Sequence, residues 1–227
     1  MKKIIFLLII LIFVVRLHAQ PFNFGISAGY NETGVYGTQG PTAFTNSSGF
    51  NAGVCGDYSW KCLTAESGLY FTTKGYNSYT IVSTLNSDGS VNYFGAKGKV
   101  SLNYLEIPLN VLYNFRMPIG KLFIGGGVFF DDPLSGTSKG TTTQFVDEGP
   151  TTTDSYTVKS PIGSGENKFT SYTGFEATAG VRFKNRFLIS LKVQGSFSNM
   201  FTDDAETTKT DSFKSAGYSI SAGYMFL

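Results

Sequence analysis

Histidine is almost missing from this sequence. His18 is the sole example, and it falls in an amino-terminal segment that reads as a leader, so the mature chain would have none. That excludes Ser-His-Asp triads, Cys-His pairs and histidine-bearing metal sites together. Charge is scarce as well, at 15% of residues, and no basic patch argues for nucleic acid. Beyond the leader no apolar run reaches the roughly eighteen residues of a spanning helix. A chain of this kind that crosses a membrane must do so as a closed β-barrel, which satisfies its own backbone in lipid. Cysteine is limited to Cys55 and Cys62. Their spacing builds no zinc site by itself. In an oxidising compartment a disulfide between them is permitted, with two unpaired barrel cysteines as the alternative.

The chain opens "MKKIIFLLIILIFVVRLHAQ". Lys2 and Lys3 form a basic start, Ile4–Val15 an apolar run, and Ala19 a small residue before a cut, which is the layout of a secretory signal peptide. Residues 1–19 are therefore expected to be the signal peptide and 20–227 the barrel domain. Removing Lys2, Lys3 and Arg16 lowers the formal charge from +2 to −1.

What the mature chain has in abundance is glycine, phenylalanine, tyrosine and alternation. Segments 22–30, 49–59, 62–74, 101–115, 120–130, 173–184, 186–198 and 213–227 place apolar residues at every second position. Each is long enough for a tilted bilayer crossing, which takes about 9–11 residues. In "SLNYLEIPLNVLYNF" the set Leu105, Ile107, Leu109, Val111, Tyr113 and Phe115 alternates with Glu106, Pro108, Asn110, Leu112 and Asn114. The connections alternate too: those near Trp60–Lys61, in "RMPIG" and at Asn185 are short, whereas 31–48, 75–100, 131–172 and 199–212 are long. Short periplasmic turns and long external loops are the signature of an outer-membrane barrel. The fold class expected is all-β, an eight-stranded antiparallel up-and-down transmembrane barrel. The aromatics Phe24, Tyr58, Trp60, Tyr113, Phe115, Phe183, Phe187, Tyr224 and Phe226 near the turns suit a membrane girdle. Pro108 lacks a ladder donor, so a bulge is expected there.

"GLYFTTKG" (68–75), "LNYLEIPLNVLYNF" (102–115) and the closing "SISAGYMFL" resemble the PorT-like outer-membrane β-barrel family of Gram-negative bacteria. The resemblance implies an eight-stranded barrel in the outer membrane and little chemistry; its namesake is linked to a protein-secretion system. The sequence departs from the family where "TAE" replaces a proline before Glu66 and where Leu227 follows Phe226. The 131–172 connection also exceeds the length expected of the family.

On the inward face Asp57, Glu66, Glu106, Asn110 and Glu176 accompany Arg182 and Lys192, and pairing within an interior network is what burial demands of them. The functional alternative is a charged passage. Asp131–Asp132 and Asp203–Asp204 read as solvated loop charge. Gly125–Gly127 follow a strand and form no phosphate loop, so no cofactor is expected. In the 131–172 segment Phe145, Tyr156, Phe169 and Tyr172 are the candidate contact residues for a partner. Together these observations favour a non-enzymatic outer-membrane protein with a structural or surface-interaction role. Its partners would be outer-membrane lipid and lipopolysaccharide, and a secretion-complex or surface protein. The alternatives are a narrow channel for small solutes and a soluble lipocalin-like binder, which needs Leu105, Ile189 and Tyr218 inside and Glu106, Lys192 and Ser219 outside.

Overall fold

A computed structural model describes residues 22–36, 42–85, 91–145, 152–163, 168–202 and 213–226. In chain order the strands are β1 (Phe22–Tyr36), β2 (Thr42–Trp60), β3 (Leu63–Leu85), β4 (Val91–Met117), β5 (Gly120–Phe145) and β6 (Thr152–Lys159), followed by β7 (Lys168–Phe169), β8 (Tyr172–Phe183), β9 (Phe187–Ser196), β10 (Phe201–Thr202) and β11 (Lys214–Met225). Eight of them, β1–β5, β8, β9 and β11, pair antiparallel with their neighbours and close into a ring. No sheet edge is left in the membrane band, as lipid requires.

The ring's stagger is fixed by its register. Starting from Asn23, successive partners are Asp57, Glu66, Asn110, Gly127, Glu176, Gln194 and Gly217, and the walk returns to β1 at Thr33, ten residues from its start. With about 3.3 Å per residue and about 4.8 Å between strands, that stagger tilts the strands by about 40°.

Alternation sorts the faces as the sequence suggests. Leu109 is 58% exposed and Asn110 only 3%. Near the short turns Phe24, Tyr58, Trp60, Tyr113, Phe115, Phe187 and Phe226 project outward, with Phe24–Phe226 and Phe187–Tyr224 in ring contact. A second belt of Tyr30, Phe50, Phe71, Phe130, Phe175 and Tyr218 faces outward further along the strands. The belts lie about 20 Å apart along the axis at this tilt, in keeping with an apolar band about 25 Å tall. Between them the outward face carries no charge among the described residues. Its one aliphatic hydroxyl, Ser67, donates to the Pro108 carbonyl at 2.8 Å, so lipid meets no unmade hydrogen bond there.

Two expectations need correction. Pro108 makes no bulge: the β3–β4 pairing skips Gly68 and Leu69 but resumes in unchanged register, Ser67 with Leu109 and Tyr70 with Glu106. Skipping a rung accommodates the missing N–H without an extra residue. The register shifts fall instead between Asn46 and Asn51 in β2 and beside Tyr104, where Leu134 is the additional residue of β5. Secondly, much of the chain expected to form the 75–100 and 131–172 loops is strand. β3 and β4 stay paired from Leu85 and Val91 downward, β5 continues to Phe145, and β6 adds to its free side. Each strand finds an antiparallel neighbour, and the β-branched run Thr141–Thr143 suits an extended chain. Of the two alternatives open for the cysteines, the structure has the unpaired one: Cys55 and Cys62 are both free, one buried and one exposed. Cys55 points into the barrel, with its thiol 3.9 Å from the Met225 sulfur.

Candidate functional site

The interior of the barrel is built in layers. Nearest the short turns, Leu112, Phe123, Leu188 and Met225 pack with Cys55. Beside them Arg182 forms an ion pair with Asp57, which also accepts from Asn23 Nδ2 at 2.7 Å.

Above this floor lies the polar layer. Lys192 Nζ reaches Glu106 at 3.3 Å and Glu176 at 3.2 Å. Glu176 accepts from Asn110 Nδ2 at 2.5 Å and from Gln194 Nε2 at 2.8 Å. Lys74 Nζ contacts Glu106 at 2.8 Å and Asp131 at 2.7 Å, and donates to Gln194 Oε1 at 3.2 Å. The Lys74 ammonium also stands 4.7 Å from the centre of the Phe129 ring. Such contacts stabilise charge that burial alone would make costly. Glu66 borders a central cavity of about 40 Å³ that it shares with Tyr70, Asn51 and Ser219, room for a few waters.

Six of the seven residues expected inside make ion pairs or hydrogen bonds there, Asp57 with Arg182 and Glu106, Asn110, Glu176 and Lys192 among themselves, and Glu66 sits beside Asp57 and Asn110 in the register. Lys74, Gln194 and Asp131 belong to the same network, although none of them was among the residues expected to form it. Asp131 was expected in solvent, yet it is fully buried, because β5 continues past it and its parity turns it inward. Asp203 and Asp204 lie outside the described residues.

The layer nearest the outside is aromatic. Leu102, Tyr104, Phe129 and Tyr172 form it, with Tyr104 and Tyr172 edge to face at 5.4 Å. Over them lie Phe169 of β7 and Met200, the residue before β10. Of the four candidate contact residues, Phe169 and Tyr172 are thus buried in this plug and offer no surface to a partner. Tyr156 is exposed on β6. Phe145 is the last residue of β5. The structure also reverses the polarity a lipocalin-like binder needs: Ile189 and Tyr218 are exposed, whereas Glu106 and Ser219 are buried.

A closed ring with an uncharged apolar band, two aromatic belts and a polar, filled interior defines an integral outer-membrane β-barrel. The chain belongs to the outer membrane protein beta-barrel domain family, whose model matches residues 18–224, and it is an outer-membrane protein. No curated protein matches it. Among solved structures it is similar to Ail, the attachment invasion locus protein of Yersinia pestis in complex with sucrose octasulfate, at 15% identity over 90% of this chain and 99% of that one, TM-score 0.33. It is also similar to Neisserial surface protein A, at 12% identity over 89% and 97%, TM-score 0.38. The translocator domain of the autotransporter NalP from Neisseria meningitidis matches at 14% identity over 99% and 96%, TM-score 0.29.

Proposed function

We propose that this is a non-conducting, non-enzymatic barrel that acts at the cell surface through the strands it projects beyond the membrane. The observation that carries this reading is the layered interior. Apolar residues close the lumen below and an aromatic plug closes it above, with the ion-paired network of Lys74, Glu106, Glu176 and Lys192 between them. A solute path would have to break both apolar layers and the network. By contrast, β3, β4 and β5 run far beyond the outer belt and, with β2 and β6, form a paired outer sheet. A rigid scaffold presenting a surface outside the membrane suits recognition, adhesion or partnering of a secretion complex, the last in line with the PorT-like resemblance. The leader at 1–19 would deliver the chain for export.

Two measurements test this. In planar bilayers the purified barrel should give no conductance steps; steady openings would establish the channel alternative instead. On intact cells a photo-crosslinking residue at Tyr156 should trap a surface macromolecule. A crosslinker placed at Ile189 in the apolar band should trap only lipid and membrane neighbours. Identical products from both positions would overturn the surface role.

A further inference from the structure

The outer sheet carries charge of one sign on one side. Lys99 of β4 and Lys139 of β5 are direct register partners, and Lys97 pairs with Thr141 one step further out on the same face. All three are exposed. Like charges set opposite one another in a sheet destabilise it. Among the described residues no carboxylate pairs with any of the three lysines to offset that cost. The one described acidic residue of β2–β6 on this face, Asp132, stands down at the outer belt opposite Leu105 and accepts from Ser171, and Asp154 of β6 has the opposite parity. The lysines line an open groove of about 620 Å³ together with Tyr79, Asn77 and Thr157. Lys97 Nζ stands 5.7 Å from the centre of the Tyr79 ring, leaving much of that exposed ring able to cover the face of a sugar.

Parity and height identify what meets this groove. Lys97 and Lys99 share the parity of Leu105, Ile107 and Leu109, so they point sideways, as the lipid-facing residues below them do, and not into the medium. They lie eight and six positions beyond Leu105 at the outer belt, which at this rise and tilt is about 15–20 Å above the apolar band. A phospholipid headgroup region, about 5–8 Å deep, ends well short of that level. We propose that the Lys97–Lys99–Lys139 groove binds the phosphate and carboxylate groups of the lipopolysaccharide core standing beside the barrel, with Tyr79 against a sugar ring. This inference rests on the proposed surface role, because it needs the outer sheet to lie outside the cell.

The test uses the full barrel in detergent. Native mass spectrometry would follow retention of lipopolysaccharide with a phosphorylated core, and of the same material after chemical dephosphorylation. The wild type should retain the phosphorylated form at least tenfold more than the dephosphorylated one, with retention falling steeply as salt rises. K97Q/K99Q/K139Q should lose that preference while keeping its heat-modifiable mobility on gels; K99Q/K139Q should lose most of it. Retention unchanged in the triple variant overturns the site. So does retention of soluble dextran sulfate in place of lipopolysaccharide. Biotinylation of Lys97 and Lys99 on intact cells separates the two ideas. Labelled lysines with unchanged lipopolysaccharide retention sink the site alone, whereas lysines that stay unlabelled until the cells are opened sink the surface role itself.

Discussion

Replacing Lys74 by methionine isolates what the interior network contributes. The substitution keeps an unbranched side chain, one atom shorter, but removes contacts of 2.8 and 2.7 Å to Glu106 and Asp131 and a cation over the Phe129 ring. Glu106 keeps Lys192 at 3.3 Å. Asp131 loses the one cation that pairs with it among the described residues, and it has no exposed surface through which water could replace it. Removing one partner from a buried pair costs about 3–5 kcal/mol, chiefly from the charge left behind. Lys74→Met should therefore lose that much stability, and Lys74→Met/Asp131→Asn should regain about 2 kcal/mol, since an amide needs no counter-ion. Urea unfolding in phospholipid vesicles would measure both. The protein supplies its own probe: Trp60 is the single tryptophan, it lies in the belt next to the short turns, and its emission should shift to the red on leaving lipid. A loss below about 1 kcal/mol for the single variant, or a double variant no more stable than the single, would refute the view that this network stabilises the barrel by charge pairing.

Two further predictions test the orientation. Leu109→Arg, in the middle of the lipid face, should cost about 2–4 kcal/mol and block assembly. Asn110→Ala, one residue away but facing inward, should still yield a band that migrates faster unboiled than boiled, so normal assembly of both would contradict the assignment of faces. Cys62, exposed at the β2–β3 turn, should react with a membrane-impermeant maleimide only after the outer membrane is permeabilised. Cys55 should need denaturation as well. Labelling of Cys62 on intact cells would put the short turns on the wrong side.

Much of the membrane band could be read from the sequence because lipid enforces a strict period of two. Leu105 to Phe115 and Ala216 to Phe226 display it without interruption, and the turn residues punctuate it. The outer sheet was hidden because no lipid touches it. In Val91–Ser101 and Gly136–Phe145 threonine, lysine and glycine replace the apolar half of the pattern, and such a strand looks like a loop until its partner is known. The network was half visible for a related reason. Residue type and parity picked out Glu106, Glu176 and Lys192, but Lys74 and Asp131 are 57 positions apart, and only the ring's register brings them together. Burial of Phe169 and Tyr172 depends on how the β7–β10 pair folds over the barrel mouth, for which no local pattern exists.

The extra residue at Leu134 acts as a phase shifter. Below it the odd-numbered residues of β5 face the lumen, as Phe123, Phe129 and Asp131 do; above it the even-numbered ones take their place. Removing that single residue would turn Lys139, Thr141 and Thr143 over to the opposite side of the sheet and leave the membrane-embedded half of the strand as it is. A one-residue insertion or deletion just outside the bilayer therefore exchanges what β5 contributes to the exposed surface in one step, leaving the membrane-embedded register unchanged. Lineages carrying this barrel have in that position a site where length variation, more than substitution, would diversify what the cell shows its surroundings.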